Sequence, residues 1–333
     1  MHRINRTPLA AILFAGFALA STVATAQNKQ FSFAYDQPKA SAYGFGADVF
    51  AKKLEELSKG AMTVNQYPGA QLGQEPQALQ KVQTGDIDFT LVAIANSATI
   101  QPEAGVFSVH FIFRGPEHAV KVLTNPGVLA AMRELYAAKV KGAHMLTLGS
   151  QGLRNLYCKK EVKNLGELKG LKVRVQATPT EDALFPAYGA QVVHMPFGEV
   201  YTSLQTGVVA VAENGVNVYL ANKHYEVAPV LSITEHEANN NCIWVSDKTW
   251  NSLTDEQKGW VEAAAREVAL KEPALALKLE DDSAAKLKTM GVTINEKVDK
   301  SGFMADAKPI QDDIAKKLGP HAVKLLELVR DVK

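Results

Sequence analysis

The chain has 333 residues, 47% of them apolar, and its 36 basic and 35 acidic side chains leave a net charge of +1. No basic block stands out, so nucleic acid and anionic membrane surfaces are poor candidates for partners. Single cores rarely grow past about 250–300 residues, so a chain this long suits two lobes.

His2, Arg3 and Arg6 make a basic start, Leu9–Ala20 is apolar, and Ala24-Thr25-Ala26 fits a small-residue cleavage pattern. The apolar run falls short of the about 20 residues a spanning helix needs. Residues 1–26 therefore read as a signal peptide cleaved after Ala26, and the rest as an exported periplasmic protein with no direct membrane insertion.

Phe31–Tyr35 alternates as a strand, and Gly46–Leu57 is an amphipathic helix with Val49, Phe50, Leu54 and Leu57 inward. Met62–Gln66 alternates again before the turn Tyr67-Pro68-Gly69. From there the chain repeats itself about 120 residues apart. Gly69-Ala70-Gln71 leads to Gln83-Thr84-Gly85 and the apolar run Ile87–Ile94, and Gly189-Ala190-Gln191 leads to Gln205-Thr206-Gly207 and the run Val208–Ala212. Each copy reads as a turn, a helix stopped by glycine, and a buried strand. Two such units suggest two lobes presenting strand ends and helix N-termini to one cleft.

Glu117–Leu123 and Gly127–Ala138 are expected helices, and His144–Leu148 and Leu171–Gln176 expected strands. Strands alternating with helices argue for α/β lobes with largely parallel sheets. Cys158 and Cys242 are the only cysteines, each in a strand-like run. In an oxidising compartment they either pair or stay as buried thiols, and the sequence leaves both open. Thr254-x-x-Gln257 is a capping box that opens a helix running to Met290 and stopped by Gly291. Its expected apolar stripe is Val261, Ala264, Val268, Leu275, Leu279, Leu287 and Met290, with a kink at Pro273. At 1.5 Å per residue such a helix spans about 50 Å, enough to lie across both lobes.

The chain has no G-x-S-x-G, Walker, G-x-G-x-x-G or H-E-x-x-H motif. Glu235-His236-Glu237 resembles a metal cluster, but consecutive residues of a strand alternate faces and cannot all reach one ion. No cofactor or metal is implied. The informative residues are arginines isolated in apolar strand contexts, Arg174 within Leu171–Val175 and Arg154 after Gly152-Leu153. Composition alone reads them as solvated strand-face residues. The functional reading is a guanidinium holding a carboxylate through two parallel hydrogen bonds.

Several stretches carry a family resemblance: YPGAQLGQEPQALQKVQTGDIDFT and PEAGVFSVHFIF, then GLRNLYCKKEVKNLGELKGLKVRVQATPT, GAQVVHMPFGEVYTSLQTGVVAVAEN and EHEANNNCIWVSDKTWNSLTDEQ. In order and spacing, Phe31 to about Lys271 resembles the DctP-type solute receptors of tripartite ATP-independent periplasmic (TRAP) transporters, a group that includes sialic-acid receptors. The resemblance implies a two-lobe α/β binding protein with crossing strands and a long C-terminal helix over both lobes. The expected division is 27–150 plus about 240–279 for lobe I, and 151–239 plus about 280–333 for lobe II.

It also implies Arg174 as the main carboxylate clamp, Arg154 as a second cation, Phe197 as an apolar wall and Asn214 as a hydrogen-bond partner. Asp36 and Glu75 fall where relatives contact the distal part of the ligand. Asn96 lies with them across the cleft from the two arginines, and Glu235 and His236 are placed at the rim. Ala93 and Asn96 stand where sialic-acid receptors carry an acidic and a basic residue, which argues against that ligand. The expected function is a receptor that delivers a carboxylate ligand to the small and large integral-membrane TRAP permease subunits. Acids opposite the arginines would repel a second ligand carboxylate and accept hydrogen bonds from hydroxyls, so a sugar acid is favoured over a four-carbon dicarboxylate. A receptor for an ABC-type importer and a periplasmic enzyme are the alternatives.

Overall fold

The computed structural model describes residues 28–333, so the expected signal peptide and its cleavage site lie outside the described residues. The first lobe is built from β1 (Lys29–Ala34), α1 (Ala42–Leu57), β2 (Met62–Tyr67), α2 (Glu75–Thr84), β3 (Phe89–Ala93) and the short α3 (Ile94–Ser97). After a 3-10 turn at Pro102–Ser108 come α4 (Pro116–Leu123), α5 (Pro126–Ala137) and the long β4 (Ala143–Cys158). The second lobe follows with β5 (Lys172–Val175), α6 (Glu181–Ala187), β6 (Gln191–His194), α7 (Val200–Thr206), β7 (Val211–Asn214) and α8 (Val216–Ala221). The chain returns through the long β8 (Val230–Ser246), α9 (Asp247–Asn251) and α10 (Asp255–Thr289). It ends with β9 (Thr293–Asn295), α11 (Ser301–Ala307), α12 (Gln311–Leu318) and α13 (Pro320–Asp331).

The strands form one path, β2-β1-β3-β8-β4-β7-β5-β6, with β9 also on β8. Its two ends mirror one another. In the first, β1 lies parallel between β2 and β3, and β3 runs antiparallel to β8. In the second, β5 lies parallel between β6 and β7, and β7 runs antiparallel to β4. The antiparallel pair β4–β8 crosses between the lobes. Each end has its own core: Phe31, Phe33, Phe50 and Phe89 interlock with centroids 5.0–6.2 Å apart in the first, and Tyr157, Leu204 and Tyr219 pack in the second. Each such ring buries area that stabilises the fold by about 1.5–3 kcal/mol.

The sequence echo is real in its second half only. Gly85 and Gly207 end α2 and α7 in the left-handed conformation, at φ 78° and 80°, and a buried strand follows each. The leading triplets are out of phase, since Gly69 lies in the turn after β2 whereas Gly189 lies in the turn before β6.

Helix α10 runs unbroken through Pro273, opened by the Thr254–Gln257 capping box. It packs on α1 and then on α8, and so spans both lobes. Its buried face differs from expectation. Val261, Ala264, Val268 and Leu287 are buried, but Leu275 and Leu279 are only partly so and Met290 is exposed. The buried line turns instead through Glu272, Ala276 and Ser283, with Glu280 beside it. Glu272 accepts a hydrogen bond from Asn241 Nδ2 at 3.2 Å, and a Cβ on Gly149 would lie against the Glu272 carboxylate. Glu280 accepts from the backbone of Val216 at 2.9 Å and of Asn217 at 2.8 Å, at the start of α8.

The C-terminal division needs correction. β9 pairs with β8 and α11 packs on α6, but α12 and α13 lie against the 3-10 turn and α5 of the first lobe, where Ala322, Leu325, Leu326 and Val329 are buried.

Cys158 and Cys242 are both free and buried. They sit on neighbouring strands, but Cys242 is opposite Leu148 and Cys158 opposite Val230. At about 3.3 Å per residue that offset far exceeds the roughly 7 Å limit for a bridge. The pairing left open by the sequence is therefore absent. Thiol titration of the denatured, unreduced protein should find both thiols, and reductant should leave the melting temperature unchanged.

Burial pushes Glu272 up to about 8 and Glu280 up to about 7. The folded protein thus holds protons that the unfolded chain releases above pH 4.5, the ordinary value, so stability falls as pH rises from there to about 8 for Glu272. Unfolded histidines are half protonated at about pH 6.5 and essentially neutral only above about pH 7.5, where they stop contributing. Thermal melts from about pH 7.5 to 8.5 should show a falling midpoint, and Glu272→Gln should remove part of that slope. An unchanged slope would defeat the assignment.

Candidate ligand site

The strand ends of both lobes converge on one cavity. Asp36 and Gln37 line it just past β1, with Tyr43 of α1, Glu75 of α2, and Ala93 and Asn96 at the end of β3 and in α3. From the second lobe come Arg174 and Gln176 at the end of β5, Phe197, and Asn214 at the end of β7. Gln151, Arg154 and Asn239 reach in from the crossing strands. Open α/β sheets bind ligands beyond the carboxyl ends of their parallel strands, so the topology places the cavity here.

The two arginines do different things. Arg154 is locked in a fork on Glu213: Nε and Nη2 both donate to its carboxylate, the latter at 2.6 Å. Its Nη1 donates to Asn239 Oδ1 at 2.7 Å, and Asn239 in turn donates to Asn214 Oδ1 at 2.8 Å. The expected second free cation is therefore neutralised within the protein. Arg174, on the inner face of β5 and 1% exposed, donates from Nε and Nη2 to the Met195 carbonyl at 3.3 and 2.9 Å. Among the described residues no carboxylate lies within 4.0 Å of it. Its guanidinium sits 5.8 Å from the Phe197 ring centroid, where the ring face favours a cation. Arg174 is a buried positive charge, and among the described residues its Nη1 makes no hydrogen bond.

The facing wall is acidic. Tyr43 donates to Glu75 Oε1 at 3.0 Å, Asn96 Nδ2 donates to Glu75 Oε2 at 2.6 Å, and Gln37 donates to Asp36 Oδ1 at 3.0 Å. Burial, then the Glu75 charge, holds Asp36 well above the usual carboxylate range, and burial also raises Glu75 against the pull of Asn96. Such a pair retains a proton readily, so it can both donate to and accept from hydroxyls. Three hydrogen bonds clasp the lobes around the cavity: Ala177 N donates to Asn96 Oδ1 at 3.0 Å, Asn222 Nδ2 to Gln37 Oε1 at 3.1 Å, and Gly198 N to Gln74 Oε1 at 3.3 Å.

Glu235 and His236 are not at the rim. Glu235, at φ 47°, bonds Lys300 at 2.6 Å and lines a different cavity beneath α10. His236 is buried against His110, with ring centroids 4.7 Å apart. The cause is a bulge: Arg154 pairs with Glu237 and Leu156 with Ser232, so four residues of β8 face one of β4.

Gln37, Tyr43, Gln151, Gln176 and Asn239 were not anticipated, nor was Glu213 as the partner of Arg154. The run Asn239-Asn240-Asn241 inside an apolar strand, and Glu213 closing the apolar run before Asn214, were visible signals of buried polar work.

Two α/β lobes closed on a polar cavity with one unpaired cation define a solute-binding protein of the two-lobe type. The chain belongs to the DctP family, bacterial extracellular solute-binding protein family 7, whose family model matches residues 33–318. It is 28% identical over 326 residues to the 2,3-diketo-L-gulonate-binding periplasmic protein YiaO of Escherichia coli, covering 97% of this chain and 98% of that one. A TRAP periplasmic solute-binding protein of Chromohalobacter salexigens with bound D-glucuronate superposes with TM-score 0.84 at 30% identity, over 91% of this chain and 100% of the other. The sugar-acid-binding protein DctPAm of Advenella mimigardefordensis, in complex with galactonate, superposes with TM-score 0.86 at 25% identity, over 92% and 99%.

The contrast between the arginines is measurable without ligand. Arg154→Met strands Glu213 as a buried unpaired charge and should cost about 3–5 kcal/mol in urea denaturation. Arg174→Met removes a charge that has no partner, and its cost should be far smaller. Equal losses would refute the distinction.

Proposed function

We propose that this receptor captures a sugar acid of the uronate or aldonate type in the periplasm and hands it to the small and large membrane subunits of a TRAP permease. The observation that carries this reading is the buried, unpaired guanidinium of Arg174 opposite Asp36 and Glu75. One cation accepts one carboxylate, and the acids and amides of the facing wall suit hydroxyl groups. A four-carbon dicarboxylate would bring its second charge against Asp36 and Glu75. The bound glucuronate and galactonate of the structural neighbours support the same ligand class.

In this reading residues 1–26 are the export signal, cleaved after Ala26, and Arg174, Asn214, Phe197, Asp36, Glu75 and Asn96 contact ligand. Arg154 holds Asn239 and Asn214 in place beside it. Lobe I comprises 27–150 and about 240–279 together with α12 and α13, and lobe II the remainder. Closure is a hinge movement stabilised by contacts made only in the closed state.

Calorimetry with D-glucuronate, D-galacturonate, D-galactonate and succinate tests the proposal. At least one sugar acid should bind, and succinate should not. Arg174→Ala should weaken binding by at least about a hundredfold, since a desolvated carboxylate loses its charge partner. Arg174→Lys should restore only part, because a point charge cannot reproduce the planar fork. Binding of succinate with none of the sugar acids, or near-normal affinity in a folded Arg174→Ala variant, would overturn it.

A further inference from the structure

Beyond Arg154 lies a second cluster of polar side chains that the ligand cavity does not use. His110 follows the 3-10 turn of the first lobe, Glu181 opens α6 of the second, and His236 and Glu237 stand at the β8 bulge. All four are buried, with none more than 5% exposed. Nδ1 of His110 lies 2.9 Å from the Tyr188 hydroxyl, and Nδ1 of His236 lies 2.8 Å from Thr234 Oγ1. Each ring is thereby oriented through one nitrogen, which leaves Nε2 as its second polar atom. Neither Nε2 has a hydrogen-bond partner, and neither has Glu181 Oε2. Glu181 Oε2 stands 3.3 Å from His110 Nε2, and ligating atoms of His110, His236 and Glu237 all lie within 4.8 Å of one another.

The charge count points the same way. Glu181, Glu213 and Glu237 share this buried region with one guanidinium, that of Arg154, which holds Glu213 in its fork and reaches Glu237 at 3.3 Å. Three carboxylates against one cation leave an excess of two negative charges when all are ionised, and uncompensated buried charges cost several kcal/mol each. A divalent ion balances that excess. Imidazole nitrogens beside carboxylate oxygens select a borderline transition metal over magnesium or calcium, which prefer oxygen alone.

We propose that His110, His236, Glu181 and Glu237 form a buried binding site for a divalent transition-metal ion of the zinc class. The Tyr188 and Thr234 hydroxyls accept the Nδ1 protons and fix the tautomer that turns both Nε2 lone pairs inward. Metal bonds of about 2.0–2.2 Å bring ligand atoms within about 3.5 Å of one another, so loading draws the four residues together. Because His110 belongs to the first lobe and Glu181 to the second, the ion would staple the lobes behind the ligand cavity.

The test is metal content, read without any sugar acid, so that its outcome is independent of the function proposed above. The mature chain, unfolded in urea and refolded with excess zinc chloride, is desalted and analysed by elemental mass spectrometry. Retention of about one zinc per chain is expected, with a melting temperature above that of protein refolded in chelator. Glu181→Gln, which keeps the side-chain shape, should weaken retention at least tenfold, and His110→Gln should abolish it. His144→Gln, at a half-exposed histidine elsewhere, should retain the ion. Cobalt(II) loading should give a visible ligand-field absorption that both cluster variants lose. If the His110 variant does not fold, the Glu181→Gln result decides. No zinc in the refolded wild type, or equal retention by Glu181→Gln, would overturn the proposal.

Discussion

Two guanidinium groups share one enclosed cavity, and the site depends on only one of them being neutralised by the protein. Two unit charges a few ångströms apart repel by about 4 kcal/mol at 4 Å even at an effective dielectric of 20. The fork between Arg154 and Glu213 removes one of the two and fixes it by hydrogen bonds as well as by charge. Arg174 keeps its charge, hydrogen-bonded to the Met195 carbonyl, set over the face of Phe197 and favoured at longer range by the Glu213 and Asp36 carboxylates. Burial disfavours that charge and lowers the Arg174 pKa. In the proposed function a ligand carboxylate would supply the compensating charge, and closure would then be favoured by the contacts it makes.

The sheet explains why the fork forms where it does. β7 pairs with β4 so that Glu213 lies opposite Leu156 and Asn214 opposite Asn155, which sets the carboxylate two residues along the ladder from Arg154. The long helix then supports the crossing strands from behind. Glu272 meets Gly149 and Asn241 on the crossing strands, and Glu280 meets the start of α8 in the second lobe. Carboxyl groups at these two points, rather than leucines, let α10 bond to backbone and amide groups where the strands twist past each other. A purely apolar stripe would leave those groups unsatisfied, at about 1–3 kcal/mol each.

That difference marks the limit of what periodicity reveals. Strand alternation and helix caps located most of the first lobe and α10, because apolar spacing and glycine stops act locally: Thr254 with Gln257, and Gly85 and Gly207, are where the sequence places them, whereas the short α6, α8 and β9 and the terminal helices went unread. The cavity residues were legible where an ionic side chain interrupts an apolar run, as Arg174 and Arg154 do. Tyr43 and Gln37 carry no such signal, since nothing local separates a tyrosine facing ligand from one facing core. The stripe of α10 failed because Glu272 is buried by tertiary contacts that a hydrophobic count scores as solvent-facing. His236 lies away from the expected rim because the β8 bulge turns it inward against His110. The bulge also turns two members of Glu235-His236-Glu237 to one region, although the three together still cannot converge.

The acidic wall completes the electrostatic argument. The positive charge of Arg174 lowers both the Asp36 and the Glu75 pKa, opposing the burial that raises them. In the proposed complex a carboxylate bound to Arg174 would cancel that help and push the two acids further toward their protonated forms. A protonated carboxyl donates one hydrogen bond and accepts others, which matches a chain of hydroxyls that do both. A second carboxylate at the same place would instead keep a full charge against an acidic wall with no cation left to meet it. In the proposed function, discrimination against dicarboxylates would thus follow from the single unpaired arginine, and preference for hydroxyls from acids that the ligand itself would help to neutralise.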